Sequence, residues 1–280
     1  MHNKYFNLVK RNILSVVLLP LSWTYGLAVL IRNKCFDYGL IKVRKYDIPV
    51  ISVGNLTVGG TGKTPHIEYL VSLLQDNINL AVLSRGYKRK TKGFILANHE
   101  SDADQIGDEP CQIKNKFPKI TVAVDSNRRN GIENILRLNK DTGLILLDDA
   151  FQHRYVKPGL SVLLIDFNRP LEKDYVMPYG RLREHSSGIK RADIIIISKC
   201  PGNLSQSSRE NIARHFQLKN NQSLFFSTIC QKNLLPVFKT THKSPDLKNP
   251  GLCALLVSGI ANPKEIKRFT VNITSDIFEL

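Results

Sequence analysis

Hydrophobic residues along this chain fall into short runs separated by polar, helix-periodic stretches. Apolar runs predict strands at Val50–Val53, Leu80–Ser84, Phe94–Ala97, Ile120–Val124, Leu144–Leu147, Ser161–Ile165, Ile194–Ser198, Leu224–Thr228 and Ala254–Ser258. Between them, amphipathic spacing predicts helices over Thr64–Gln75, Asp104–Lys116, Asn127–Asn139, Ser207–Gln217 and Pro263–Phe269. Several strands are apolar without alternation, as when helices cover both faces of a sheet. The pattern is therefore α/β on a mainly parallel sheet. The stretch 166–192, rich in Pro, Gly and Arg, reads as a functional loop or a link to a smaller lobe. The expected organisation is an apolar N-terminal helix over 1–35, a core over 36–165, and a linker with a smaller α/β lobe over 166–280.

One run does not belong to a sheet. Ile13–Ile31 carries no charge across nineteen residues and is flanked by Lys10, Arg11, Arg32 and Lys34. Its length barely reaches a bilayer span, and Pro20, Ser22, Thr24 and Gly26 weaken it. A helix lying in the membrane interface, with Trp23 and Tyr25 at headgroup level, fits as well. The net charge of +16 points to an anionic partner, whether a phosphorylated substrate, an acidic membrane surface or nucleic acid. Five scattered cysteines without a C-x-x-C pair suggest neither a disulfide framework nor a zinc site, and favour a reducing compartment.

The most specific chemistry follows the first strand. The loop Thr57-Val58-Gly59-Gly60-Thr61-Gly62 leads into Lys63-Thr64-Pro65 at a helix start. Backbone N–H groups in such a loop close around a phosphate, and the helix dipole favours its charge. Lys63 reaches the β/γ-phosphates, and the Thr64 hydroxyl suits Mg²⁺. The spacing departs from G-x-x-x-x-G-K-[ST], which would need Gly at position 57. Pro65 costs no helix hydrogen bond in the first turn. The loop predicts a nucleoside triphosphate site.

Leu144–Leu147 ends in Asp148 and Asp149, acids at the tip of a buried strand where open sheets bind ligands. Either can hold Mg²⁺ opposite Thr64. Gly107-Asp108-Glu109-Pro110 sets two acids at a loop–helix boundary, with Asp108 a candidate general base. Arg85, in Ser84-Arg85-Gly86-Tyr87, suits an anionic substrate. In Gly180-Arg181-Leu182-Arg183-Glu184, Arg183 suits phosphate and Glu184 the metal shell.

Taken together and in order, these motifs resemble the tetraacyldisaccharide 4′-kinases of lipid A biosynthesis. The shared features are the apolar N-terminal helix, SVGNLTVGGTGKTP, SRGYKRKTKG, GDEP, LDDAFQHR, GRLRE, RADIIIISK and GIANP. The resemblance implies a P-loop NTPase-like fold and transfer of the ATP γ-phosphate to the 4′-hydroxyl of a tetraacyldisaccharide 1-phosphate. The product would be lipid IVA, made at the cytoplasmic face of the inner membrane. It implies Lys63 and Thr64 as phosphate and Mg²⁺ ligands, Asp148, Asp149 and Glu184 as active-site and metal acids, and Asp108 as the catalytic carboxylate. Arg85 and Arg183 would touch substrate or phosphate. Ala150 stands where the family usually has Gly, and His185 where it usually has Pro. Family members also continue past the region matching Ile277–Leu280 into an Asp-His motif, so nucleotide binding is expected to survive better than turnover here.

Two other readings compete. A membrane-associated P-loop ATPase or GTPase switch would share the double-glycine loop, but Val58 stands where such switches carry Lys, and no N-K-x-D motif is present. A nucleic-acid-binding protein would explain the charge but leaves the uncharged N-terminal run without a role.

Overall fold

The computed structural model describes residues 2–230, 253–256, 270 and 276–279. Its elements, in chain order, begin with α1 (His2–Asp37), β1 (Val50–Asn55), α2 (Lys63–Leu74), β2 (Leu80–Ser84) and β3 (Ile95–Leu96). They continue with α3 (Ala103–Ile106), α4 (Asp108–Lys116), β4 (Thr121–Val124), α5 (Arg128–Leu138), β5 (Leu144–Asp148) and β6 (Leu160–Asp166). Last come β7 (Ile194–Cys200), α6 (Gln206–Phe216), β8 (Ser223–Thr228), β9 (Cys253–Leu256) and β10 (Asp276–Glu279).

Strands β1 to β8 form one sheet in the order β3-β4-β2-β5-β1-β6-β7-β8, parallel throughout except at β3–β4. The apolar, β-branched sequences of β1, β2, β5 and β6 explain their central places, because their side chains are buried on both faces. One face packs Val53, Val82 and Leu146 against Ile67, Val71, Ile106 and Ile113. The other packs Ala81, Leu83, Ile145 and Leu147 against Ile132 and Ile135 of α5. Because β5 lies between β1 and β2, the C-terminal tips of all three strands converge at one edge.

Compact units run over Met1–Ile229 and Cys230–Leu280. This differs from the boundary expected at residue 166. Strands β7 and β8 pair on from β6 in parallel register, so the first unit carries on to the end of the sheet. In the second unit, β9 and β10 form a parallel pair. The expected helix Pro263–Phe269 and the GIANP motif lie outside the described residues.

A single helix expected over Asp104–Lys116 is two. Gly107 takes φ +91°, which L side chains rarely adopt, and this break starts α4 afresh at Asp108. The acids of GDEP therefore sit on a helix N-terminus, where the dipole favours negative charge.

Helix α1 is apolar on its outer side. Val16, Trp23, Leu27, Leu30 and Ile31 are exposed, Val16 and Trp23 by 73% and 69%. At about 100° per residue, Ser22, Tyr25, Gly26, Arg32, Asn33 and Phe36 share the opposite stripe. These face the protein: Ser22 donates to the Val176 carbonyl, Tyr25 to that of Arg183 (3.1 Å) and Arg32 to that of Gln152. Phe36 meets Tyr155 edge-to-face at 5.1 Å. The helix thus turns mostly polar and small residues inward and apolar ones outward. Its segment Val16–Asp37 is long and apolar enough to cross a membrane.

Candidate active site

The loop after β1 is held from behind. Thr57 bridges Leu182 in antiparallel register, and the Val58 N–H donates to the Arg181 carbonyl at 2.8 Å. Sequence reading placed Thr57 and Val58 in the phosphate cradle. The structure commits the Val58 amide to the Arg181 carbonyl instead. Thr61 is buried and its hydroxyl accepts from Asn55 at 2.8 Å. Gly62 caps α2 in the left-handed region (φ 84°), delivering Lys63 and Thr64 onto its first turn.

The carbonyls of this loop are also occupied. Lys199, at the tip of β7, donates to the Gly60 carbonyl and pairs with Asp166 at 2.8 Å. Ser198 donates to the Thr61 carbonyl at 2.8 Å, and His66 Nδ1 lies 2.7 Å from that of Gly62. Burial lowers the His66 pKa against the raising effect of that contact. These contacts hold the loop's oxygens to protein, and within the loop the Thr61 N–H donates to the Gly59 carbonyl at 3.0 Å. Neither Ser198 nor Lys199 received a role from sequence. Their signal was the end of the RADIIIISK motif, at a strand tip on the same sheet edge.

Opposite the loop lies the β5 tip. Asp148 is 2% exposed and accepts from the Ser84 hydroxyl at 3.0 Å. Its other oxygen, Oδ1, is buried without a hydrogen-bond partner. Burial, then the negative charges of Glu109 and Asp149, raise its pKa to about 6. Asp149 takes φ 47°, a costly conformation for a non-glycine residue at a functional edge. Its carboxylate lies 3.5 Å from Lys63 Nζ and 2.9 Å from Arg183 Nη1. Burial raises its pKa, but Lys63 and Arg183 outweigh this and the net shift is downward. Thr64 Oγ1 donates to Glu109 Oε1 at 3.2 Å, so α2, α4 and β5 meet here.

The residues fit a divalent cation. The orphaned buried oxygen of Asp148, the neighbouring acids Glu109 and Asp149 whose charge raises its pKa, and the Thr64 hydroxyl are hard-oxygen donors of the type such an ion takes. Among the described residues no group of three or more His, Cys, Asp or Glu is gathered closely enough to hold a metal ion. Glu109, which sequence left without a role, stands among those donors. Glu184, expected there, does not. Its oxygens accept from Arg191 (2.8 Å to each), Asn33 (2.8 Å) and Gln152 (3.1 Å), which fill its lone pairs.

Asp108 is exposed at the start of α4 and lines a cleft with Tyr87, Lys88, Glu109 and Pro110. Arg85 is exposed at the β2 tip. Arg128, almost fully buried, donates to the backbone carbonyls of Asp125 (2.6 Å) and Asp148 (2.9 Å), tying α5 to the strand tip. His153 is driven down to about 4 by burial and then by Arg128, Arg129, Arg32 and Arg85. It is therefore neutral near pH 7.

A sequence model of the tetraacyldisaccharide-1-P 4′-kinase family matches residues 14–275. The tetraacyldisaccharide 4′-kinase of Parabacteroides distasonis is 50% identical over 272 residues, covering 94% of this chain and 73% of that protein. That of Bacteroides thetaiotaomicron is 47% identical over 277 residues, covering 94% and 72%. Among solved structures, LpxK from Aquifex aeolicus in complex with ATP aligns with TM-score 0.72 and 28% identity, over 96% of this chain and 81% of that one. The fold, the phosphate loop and this likeness over nearly all of its length agree: the chain belongs to the tetraacyldisaccharide 4′-kinase family, kinases that phosphorylate a lipid A precursor with ATP.

Proposed function

We propose that this chain transfers the ATP γ-phosphate to the 4′-hydroxyl of a tetraacyldisaccharide 1-phosphate, at the cytoplasmic face of the inner membrane, to give lipid IVA. One observation carries the reading: Lys63 and Thr64 on the phosphate loop meet Asp149 and Glu109 at 3.5 and 3.2 Å, beside a helix that exposes its apolar side.

The loop amides and Lys63 bind and orient the β- and γ-phosphates. Arg183, held beside Asp149, adds positive charge where charge develops on the transferring group. Thr64, Asp148 and Glu109 would hold Mg²⁺, with Asp149 beside them; when bound, Mg²⁺ supplies charge neutralisation across the phosphates. Asp108, exposed on the dipole-positive end of α4, takes the 4′-hydroxyl proton as that oxygen forms its bond to phosphorus and the bridging oxygen leaves with ADP. Arg85 and the other cations of this edge suit the anionic acceptor. The outward face of α1 keeps the catalytic edge at the lipid surface that delivers the substrate.

The test is incubation of the full chain with radiolabelled ATP, Mg²⁺ and the acceptor lipid in detergent micelles, followed by chromatography of the lipid phase. Label on the lipid, lost in Asp108→Ala and Lys63→Ala, is the expected result. Nucleotide hydrolysis with no labelled lipid would overturn the proposal.

A further inference from the structure

We propose that Glu184 is a positioning residue that fastens the N-terminal helix to the catalytic arginine, and so lets the seating of α1 set the geometry at Asp149. The inference rests on the kinase reading above.

Glu184 is 2% exposed, and its charge is met by Arg191 at 2.8 Å. A buried carboxylate accepts hydrogen bonds and donates none, so every neighbour must turn an N–H toward it. Asn33 of α1 does so to Oε2 at 2.8 Å, and Gln152 does so to Oε1 at 3.1 Å. That demand fixes which way the Gln152 amide faces. Its Nε2 also donates to the Asn55 carbonyl at 2.6 Å, while its Oε1 accepts from Arg183 Nη1 at 3.3 Å. The same Nη1 lies 2.9 Å from both oxygens of Asp149. An unbroken line of contacts therefore runs Asn33–Glu184–Gln152–Arg183–Asp149. Arg32, next to Asn33, donates to the Gln152 carbonyl, so α1 grips this turn twice.

Glu184→Gln keeps the shape but offers an amide NH₂ to neighbours that are all donors. One contact must then break or Gln152 must flip, turning its NH₂ toward Arg183. Asn33→Ala removes only the α1 contact to Glu184, keeps that of Arg32 to the Gln152 carbonyl, and leaves the core intact. Steady-state kinetics of the full chain in micelles should show kcat lowered about tenfold in Glu184→Gln and about threefold in Asn33→Ala. KM for ATP and for the lipid should stay within about twofold. The double variant should fall no further than Glu184→Gln alone, because both act through one contact. Binding of a fluorescent ATP analogue, titrated with Mg²⁺, should keep the wild-type midpoint in both variants.

A shifted Mg²⁺ midpoint in Glu184→Gln would make it a metal ligand and overturn the proposal. So would multiplicative losses in the double variant, or wild-type kcat in both singles. If Glu184→Gln fails to fold, Asn33→Ala decides alone: a wild-type kcat there overturns the proposal. An inactive wild-type chain would instead defeat the kinase reading itself, which separates the two failures.

Discussion

Lys63 Nζ stands 3.5 Å from Asp149 Oδ1 on the side of that carboxylate which Arg183 also approaches, at 2.9 Å. Two cations therefore share one acid held in a left-handed backbone. The arrangement stores positive charge beside the phosphate loop and keeps Asp149 ionised. Removing either cation leaves charge developing on the phosphoryl group without its partner, an effect worth about 100-fold to 1,000-fold in rate for a single preorganised donor. Lys63→Met and Arg183→Met should each lower kcat by about that much, measured as labelled lipid formed at saturating ATP. Asp149→Asn should also slow turnover, because it frees Lys63 and Arg183 from their common anchor.

Asp148 makes the site costly to keep empty. Its pKa, raised to about 6 by burial first and by Glu109 and Asp149 next, lies above the ordinary carboxylate value of 3.8. The folded state therefore binds this proton more tightly than the unfolded chain. Stability from the group is present below about 3.8 and is lost as pH rises through about 6. Asp148→Asn escapes that loss. In EDTA and without nucleotide, its Tm should exceed the wild type's at pH 8, and the gap should close as pH falls through 6 toward 4. Calorimetry across that range checks the sign, and the same variant should have lost phosphoryl transfer.

The sheet was legible in the sequence because each central strand is an apolar run that only a doubly covered sheet can bury. The phosphate loop and Asp148–Asp149 were legible for a related reason: they interrupt such runs with residues that burial disfavours. Contacts that depend on which loop lies over which were not. Glu184 follows an arginine in a polar segment, and nothing local says that Arg191, Asn33 and Gln152 will saturate it. The Val58 amide is taken by Arg181, 123 positions further along the chain, through a bridge with no sequence periodicity. The loop after β6 is polar and Pro-rich and so suggests a boundary at 166, although the chain returns to the same sheet at Ile194. Gly107 was visible as a residue. That it takes φ +91° and splits the helix was not, because glycine also occurs within helices.

Lys199 supports the loop at a conformational cost. It adopts φ 58°, at a register shift in the β7–β8 pairing, and from there its ammonium reaches the Gly60 carbonyl and Asp166. Strain of this kind persists where surrounding contacts over-determine it. Lys199→Met keeps the aliphatic stem but lets the loop carbonyl go. ATP should then bind about tenfold more weakly, with the lipid KM unchanged, and Lys199→Arg should recover part of the loss. Equilibrium binding of a fluorescent ATP analogue reads the effect directly. Ser198→Ala should weaken binding less, since it gives up one neutral hydrogen bond of about 1 kcal/mol.

The final prediction concerns the outward face of α1. Trp23, Leu27 and Ile31 are exposed apolar side chains on a helix whose other stripe is committed to Val176, Arg183, Gln152 and Glu184. Each such side chain gains about 1.5–3 kcal/mol on leaving water. Replacing all three with Ser should therefore release the protein from lipid vesicles in a flotation assay. All three are more than half exposed, so the fold should survive with a nearly unchanged Tm, and ATP-analogue binding should remain. Turnover on lipid presented in vesicles should fall by tenfold or more, whereas turnover on lipid diluted into detergent micelles should fall less. Equal losses in both formats would mean that the outer face serves the protein's own packing, because only delivery at a lipid surface distinguishes the two assays.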